Sequence, residues 1–386
     1  MSNTVNGSTV NNEPANADTV KTDAVETGAS ATDVAGTATP ASRNQAGAAR
    51  AHERERRRGS GAAMVVLLLM AIAFACVLSV VFGSRNVSAG DIIRAISTSS
   101  NDIAAAAIRL RIPRTVLGIL VGASLAVAGT LMQGVARNPL ADPSILGLNT
   151  GAAFAIVCSI AFVGLSTPIQ YVWVALLGSS ATAAAVWAVG SMGRSGPTPL
   201  KLTLAGAVLS AVLSSLTAAI LLPRVDVISI YRYWQVGGIS GARFNLMLPI
   251  APLLLAGFVI AFLSARSLNT IALGDELAVG LGLKTRVARV TIWVGAVLLC
   301  AGATSLAGPI GFVGLVVPHA ARLIVGSDYR RIMVASALMG PLLLLVADVV
   351  GRIITRPADV EVGIVTALIG APVFVALVRR RTMAEV

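Results

Sequence analysis

Ten apolar runs, each close to the length needed to cross a bilayer, constrain this chain more than any other feature. They lie at 62–83, 115–136, 144–165, 171–192, 199–222, 246–264, 287–307, 310–325, 332–354 and 362–378. A crossing helix needs about 20 residues. Within lipid a segment must satisfy its own backbone hydrogen bonds, and a helix does so locally. The runs therefore predict an all-α, polytopic membrane protein of about ten transmembrane helices. The eighth run is short, and whether it crosses fully is left open. Composition points the same way. Charged residues make up 12% of the chain and mean hydropathy is +0.81, whereas a soluble domain carries about 25% charge.

Residues 1–60 are different in kind. They are rich in Ala, Thr, Asn, Ser and Gly and nearly free of bulky apolar side chains. Such a segment buries too little surface to offset its ordering entropy. The reading is a disordered cytoplasmic tail over 1–60, followed by a membrane domain over 61–382. The tail closes on the basic run Arg54-Glu55-Arg56-Arg57-Arg58. It is too long for a simple signal peptide, and the run after it is long enough to span.

The net charge of +12 would suggest nucleic acid in a soluble protein. Here the Lys and Arg residues lie mostly between apolar runs, where they orient helices, so lipid and not nucleic acid is the expected surrounding. With the amino terminus inside, eighteen Lys and Arg fall on inner segments and ten on outer ones. That bias places both termini in the cytoplasm of a multi-pass protein of the cell membrane. Two outer groups run against the rule, Arg109/Arg111/Arg114 and Arg352/Arg356, and they call for another explanation. Cys76, Cys158 and Cys300 each sit in an apolar run, there is no CxxC pair, and His52 and His319 are far apart. No metal site or cofactor is expected.

Several segments carry further information. Arg109-Leu-Arg111-Ile-Pro113-Arg114 stands at the outer mouth of the second run, where arginines either snorkel to headgroups or dock an acidic partner. Asn138-Pro139-Leu140-Ala141-Asp142-Pro143 is a proline-bounded break on the inner side, readable as a plain turn. Leu268–Lys284 is long and moderately apolar for an inner loop. It reads as one or two short helices offering a partner surface. Its end, Gly280-Leu-Gly282-Leu-Lys284-Thr285, is not a phosphate loop, because glycine must directly precede the lysine. The glycine-dense stretch Gly308–Gly314 fits close helix approach or a broken helix. Downstream of it, His319 fits a structural hydrogen bond better than a proton relay. Asp348 and Arg352, four apart, share a helix face and can pair.

Together these segments resemble the FecCD family of importer permeases. The resemblance rests on RIPRTVLGILVGASLAVAGTLMQGVARNPLADPSILGLNTGA (111–152), ALGDELAVGLGL (272–283), GPIGFVGLVVPHAARL (308–323) and VGIVTALIGAPVF (362–374), and covers roughly 62–380. It implies a ten-helix subunit paired with a second permease, either a copy or a paralogue. Two ABC ATPase subunits would bind inside and a substrate-binding protein outside, with a ferric siderophore or related iron chelate as cargo. Cobalamin or haem is the alternative cargo. The chain would be a transport subunit and not an enzyme. By this resemblance Arg111, Arg114 and Arg352 meet the binding protein. Gly274, Asp275, Glu276, Leu277, Gly280 and Gly282 belong to the ATPase coupling loop, and Asn138 and Leu140 to the inner gate. One departure is Asp359-Val360-Glu361-Val362-Gly363, where the family usually carries a proline. A secondary transporter would want ionisable groups at mid-membrane, and the centres of the runs show none. A receptor or structural protein would not need the coupling loop.

Overall fold

A computed structural model describes the backbone of residues 40–82, 103–192, 198–355 and 358–382, and the chain divides into two units, Met1–Arg57 and Arg58–Val386. The described residues form thirteen α-helices and no strand. In order they are α1 (Pro40–Val81), α2 (Ile103–Ala136), α3 (Leu148–Cys158), α4 (Pro168–Gly190), α5 (Pro199–Leu221), α6 (Val225–Gln235), α7 (Phe244–Met247), α8 (Ala251–Ala272), α9 (Asp275–Gly280), α10 (Thr285–Ala307), α11 (Val313–Val325), α12 (Tyr329–Ile354) and α13 (Val362–Thr382). Of the segment expected to be disordered, 1–39 lies outside the described residues, while 40–60 is helical and runs straight into the first apolar run. Its Ala, Arg and Glu content favours helix.

Each of the ten apolar runs falls on a helix, but they differ in length. Seven helices are long and apolar enough to cross a membrane, and Leu148–Val163, Val313–Val325 and Val362–Ala376 are shorter. Ten complete crossings are thus not established. Left-handed backbone breaks the short helices. Gly147 precedes α3, a π-turn (Ser159–Val163) ends at Gly164, and Gly308 and Phe312 stand before α11, all at positive φ.

Helix α2 is the centre of the second unit. It packs along α12, α10, α11 and α8. Of its most apolar stretch 78% is buried, against 11% for α1 and for α5, so these last two present most of their surface outward. Small residues let the backbones come together. A Cβ on Gly122 would lie 2.6 Å from Gly340 O in α12, and one on Gly129 would lie 1.9 Å from Gly314 O in α11. Polar pairs add direction. Thr130 Oγ1 donates to Ser336 Oγ at 3.0 Å, and the buried Gln133 Nε2 donates to Gly314 O and Leu315 O at 3.2 and 3.1 Å. Helix α2 carries Arg111 and Arg114 near one end and is followed by Arg137 at the other. These ends are called below the Asp348 end and the Asp275 end, after the carboxylates that meet them.

Candidate functional site

At the Asp348 end the arginines are turned into the protein. Arg111, Arg114 and Arg352 are 7%, 8% and 2% exposed, and Asp348 is fully buried. Arg114 donates from Nε and Nη2 to Asp348 Oδ1 at 3.0 and 2.7 Å, and from Nη1 to Asp359 Oδ2 at 2.9 Å. Arg352 Nη2 lies 2.6 Å from Asp348 Oδ2, the pairing its four-residue spacing predicts. The remaining donors cap α1. Arg352 Nη1 reaches Ser79 O and Phe82 O, both at 2.9 Å, and Arg111 Nη1 reaches Val80 O and Val81 O at 2.8 and 3.0 Å. The last carbonyls of a helix have no partner within it, and here two guanidinium groups satisfy them. The three residues expected to meet a binding protein therefore come together as one network that joins α1, α2 and α12 and reaches the segment before α13. Side chains of Arg109 and Arg356 lie outside the described residues.

Near the same network Glu361 Oε1 accepts from Ser240 Oγ at 2.6 Å, and Glu361 Oε2 presses on Gly238. The residue that departs from the family pattern is thus an internal strut. Asp142, in the break after α2, accepts from Ser144 N at 2.7 Å and starts the 3₁₀ turn Pro143–Leu146.

The Asp275 end carries the short helix α9, set across the ends of α8 and α10. Gly274 (φ 117) and Gly282 (φ 82) bracket it in backbone that favours glycine. Without those two turns the chain could not leave α8, make one and a half turns and enter α10. Ala278 is buried, while Leu273, Leu277, Val279 and Leu281 are 59–68% exposed. A cluster of exposed aliphatic residues on a short polar-ended helix marks a contact surface. Asp275 itself accepts from Arg289 Nη2 at 2.7 and 2.8 Å, and from Arg137 Nη2. Partial burial alone would raise its carboxyl, but the hydrogen bonds and charges of Arg289 and Arg137 hold it below the usual carboxylate range. Next to Arg137, Asn138 Oδ1 accepts from Leu140 N at 2.9 Å, and Ala141 N donates to Asn138 O. The expected gate residues thus form a side-chain-stabilised turn with Leu140 exposed. The structure brings this turn within one residue of the ion pairs of Asp275 on α9.

A third feature was not foreseen from the sequence. An open cavity of about 500 Å³ lies among α3, α5 and α6, lined by Asn149, Thr150, Ser214, Thr217, Tyr231 and Gln235 together with apolar side chains. Its polar groups are hydroxyls, amides and the indole of Trp234, and among the described residues no carboxylate, histidine, lysine or arginine lines it. Only the three-dimensional meeting of three helices reveals it. The sequence signal was the density of Ser and Thr along α5.

Comparison with known proteins agrees with this architecture. The chain is 40% identical over 307 residues to a siderophore transport system permease protein, YfiZ, of Bacillus subtilis, covering 79% of this chain and 92% of that protein. It is also 40% identical over 315 residues to the ferric enterobactin permease FepD of Escherichia coli, covering 81% and 93%. Among solved structures, a metal-chelate type ABC transporter in an inward-facing conformation superposes with a TM-score of 0.71 at 27% identity, over 83% of this chain and 99% of that one. Residues 69–380 match the FecCD transport family. The helical bundle, the crossing helix α9 and these matches lead to one conclusion: the chain belongs to the FecCD transport family, whose members are permease subunits of ABC importers.

Proposed function

We propose that this chain is the membrane-spanning subunit of a binding-protein-dependent importer that brings a ferric siderophore or related iron chelate into the cytoplasm. The observation that carries the reading is α9 with its flanks: the short helix shows Leu277 and Val279 to the outside of the bundle, and Leu273 and Leu281 on either side of it are equally exposed. An ATPase groove is the partner that would cover it. Gly274 and Gly282, both at positive φ, turn the chain at the two ends of the helix. The Asp275 end is then cytoplasmic, both termini are inside, and the Asp348 end faces the binding protein. At that face Arg111, Arg114 and Arg352 act chiefly by holding the helix ends that form the docking surface, since their donors are already engaged. The relatives named for siderophores support iron chelate as cargo. The hydroxyl- and amide-lined cavity of α3, α5 and α6 supports it, because such a wall offers a bulky polar chelate hydrogen bonds without stripping its metal. A second permease subunit, copy or paralogue, would close that open cavity from the other side. Transport would proceed by alternating access, with ATP hydrolysed in the partner subunits.

The test is reconstitution in liposomes with an ATPase and a binding protein encoded beside it. Uptake of a radiolabelled ferric chelate should require ATP and all three components, and the purified chain alone should hydrolyse none. Uptake driven by an ion gradient without ATPase would overturn the reading. Saturable uptake of cobalamin or haem, with ferric chelates inert, would reassign the cargo and leave the transport class intact.

A further inference from the structure

The turn read as the inner gate and the helix read as the ATPase contact are fastened to each other through one carboxylate. Asp275 opens α9 and takes hydrogen bonds from Arg137, which follows α2, and from Arg289, near the start of α10. Arg137 directly precedes Asn138. Its backbone is left-handed (φ 48), which it shares with only Phe312 among the described non-glycine residues. An arginine holds that conformation only where its surroundings over-determine it. Its visible tether is the ion pair to Asp275. Arg289 lies near the residues that follow the gate turn. It borders a small cavity of about 60 Å³ together with Ala141 and Asp142 of the break after α2 and with Trp187 and Trp293. So the carboxylate on α9 is tied through Arg137 to the residue that opens the gate turn, while its other partner, Arg289, lines a cavity with the residues just beyond that turn.

We infer that Asp275 is a positioning residue, a latch that sets the Asn138–Leu140 turn according to where α9 lies, with Arg137 as the link that transmits displacement. This deepens, and rests on, the reading of α9 as the ATPase contact. It gives Asp275 a role distinct from touching the ATPase, because its oxygens point back at the chain. The strength of the latch suits that role. Side chains of Arg137, Asp275 and Arg289 are 38%, 51% and 28% exposed, and pairs so open to water contribute little individually. A partner that shifts α9 can therefore re-form or break them by its differential affinity for the two arrangements.

The first experiment uses the chain alone in liposomes, with its native cysteines replaced and a single Leu140→Cys reporter. Asp275→Asn should raise the thiol-labelling rate at the reporter severalfold, Arg137→Gln should do the same, and the double variant should add nothing further. Asp275→Glu should return the rate towards the parent. An unchanged rate in Asp275→Asn, or fully additive effects of the two changes, overturns the latch. The second experiment uses the assembled transporter. Arg137→Gln should lower the chelate moved per ATP hydrolysed, whereas parallel loss of hydrolysis and transport would show a plain assembly defect and overturn the link. If no ATPase binds α9 at all, the functional reading fails, and the labelling result still decides whether the carboxylate positions the turn.

Discussion

Asp348→Ala should be among the most damaging single changes in the molecule. The wild-type carboxylate is fully buried, accepts from Arg114 at 2.7 Å and is ion-paired with Arg352 at 2.6 Å. Truncation leaves two guanidinium groups facing each other at 8% and 2% exposure. Removing one partner of a buried pair costs about 3–5 kcal/mol, most of it from the uncompensated charge that stays behind. Arg114 keeps Asp359 and Arg352 keeps the carbonyls of α1, which places the expected loss near the lower bound, about 3 kcal/mol. Arg352→Ala should cost less, because Asp348 retains Arg114 and Arg111 still caps Val80 O and Val81 O. The assay is the unfolding midpoint of the purified chain in graded denaturing detergent, read with the labelling rate of Cys76 on α1. A third variant, replacing Arg114, Asp348 and Arg352 together by Met, Leu and Met, should recover much of the loss, since an apolar set of similar volume carries no orphaned charge. If Asp348→Ala unfolds with the parent and only binding-protein affinity falls, the reasoning is refuted and the arginines serve docking directly.

Three further outcomes follow from the packing and the loops. Gly122→Leu should prevent accumulation of folded protein, because its Cβ would meet the backbone of Gly340 and Pro341 within 2.8 Å; normal yield and monodispersity in size-exclusion chromatography would contradict this. Asp328→Ala should destabilise the start of α12 by about 1 kcal/mol, through loss of its bonds to Arg330 N and Asn269 Nδ2, while Asp328→Asn should lose less; detergent-unfolding midpoints separate the two. Reporter labelling at Leu140→Cys, divided at each pH by that of Asp275→Asn carrying the same reporter so that the falling thiolate fraction cancels, should be flat from neutral pH down to the ordinary carboxylate value, about 3.9, and rise only below it. Asp275 is held below that value in the folded chain, so its contribution is present above the unfolded value and lost as pH falls through the folded one; a rise centred near pH 6 would point to another group.

The helices were legible because hydropathy declares them one at a time. Every apolar run landed on a helix, and the Asp348–Arg352 pair was readable because four residues bring two side chains to one face. The pairings that give the ends their character were not. Arg114 and Asp348 are separated by 234 residues, and Arg137 and Asp275 by 138. No local period encodes such a meeting. For the same reason the sequence could not show that Arg111 and Arg352 bond the carbonyls that end α1, or that Arg114 bonds Asp348 and Asp359. The number of complete crossings could not be fixed, for a different cause. Hydropathy ignores backbone direction, and residues such as Gly308 and Phe312 interrupt a run without lowering its apolar content. The cavity of α3, α5 and α6 belongs to no single stretch of sequence, so periodicity could not reveal it.

The capping of α1 also has a consequence for biogenesis. Ribosomal synthesis delivers α1 first, yet the guanidinium that closes its final carbonyls arrives with Arg352, 270 residues later. Through most of translation the trailing end of the first inserted helix must stay hydrated, and a nascent chain stopped before α12 would hold it without that clasp. Arg111 can offer provisional cover, since it emerges only 30 residues behind Val81. The two arginines thus become available to one helix end at different times, Arg111 soon after α1 and Arg352 only when the carboxyl-terminal third has been made. Quality-control proteases that sample unfinished membrane proteins would meet a loose first helix in every truncated product and a secured one only in the complete chain.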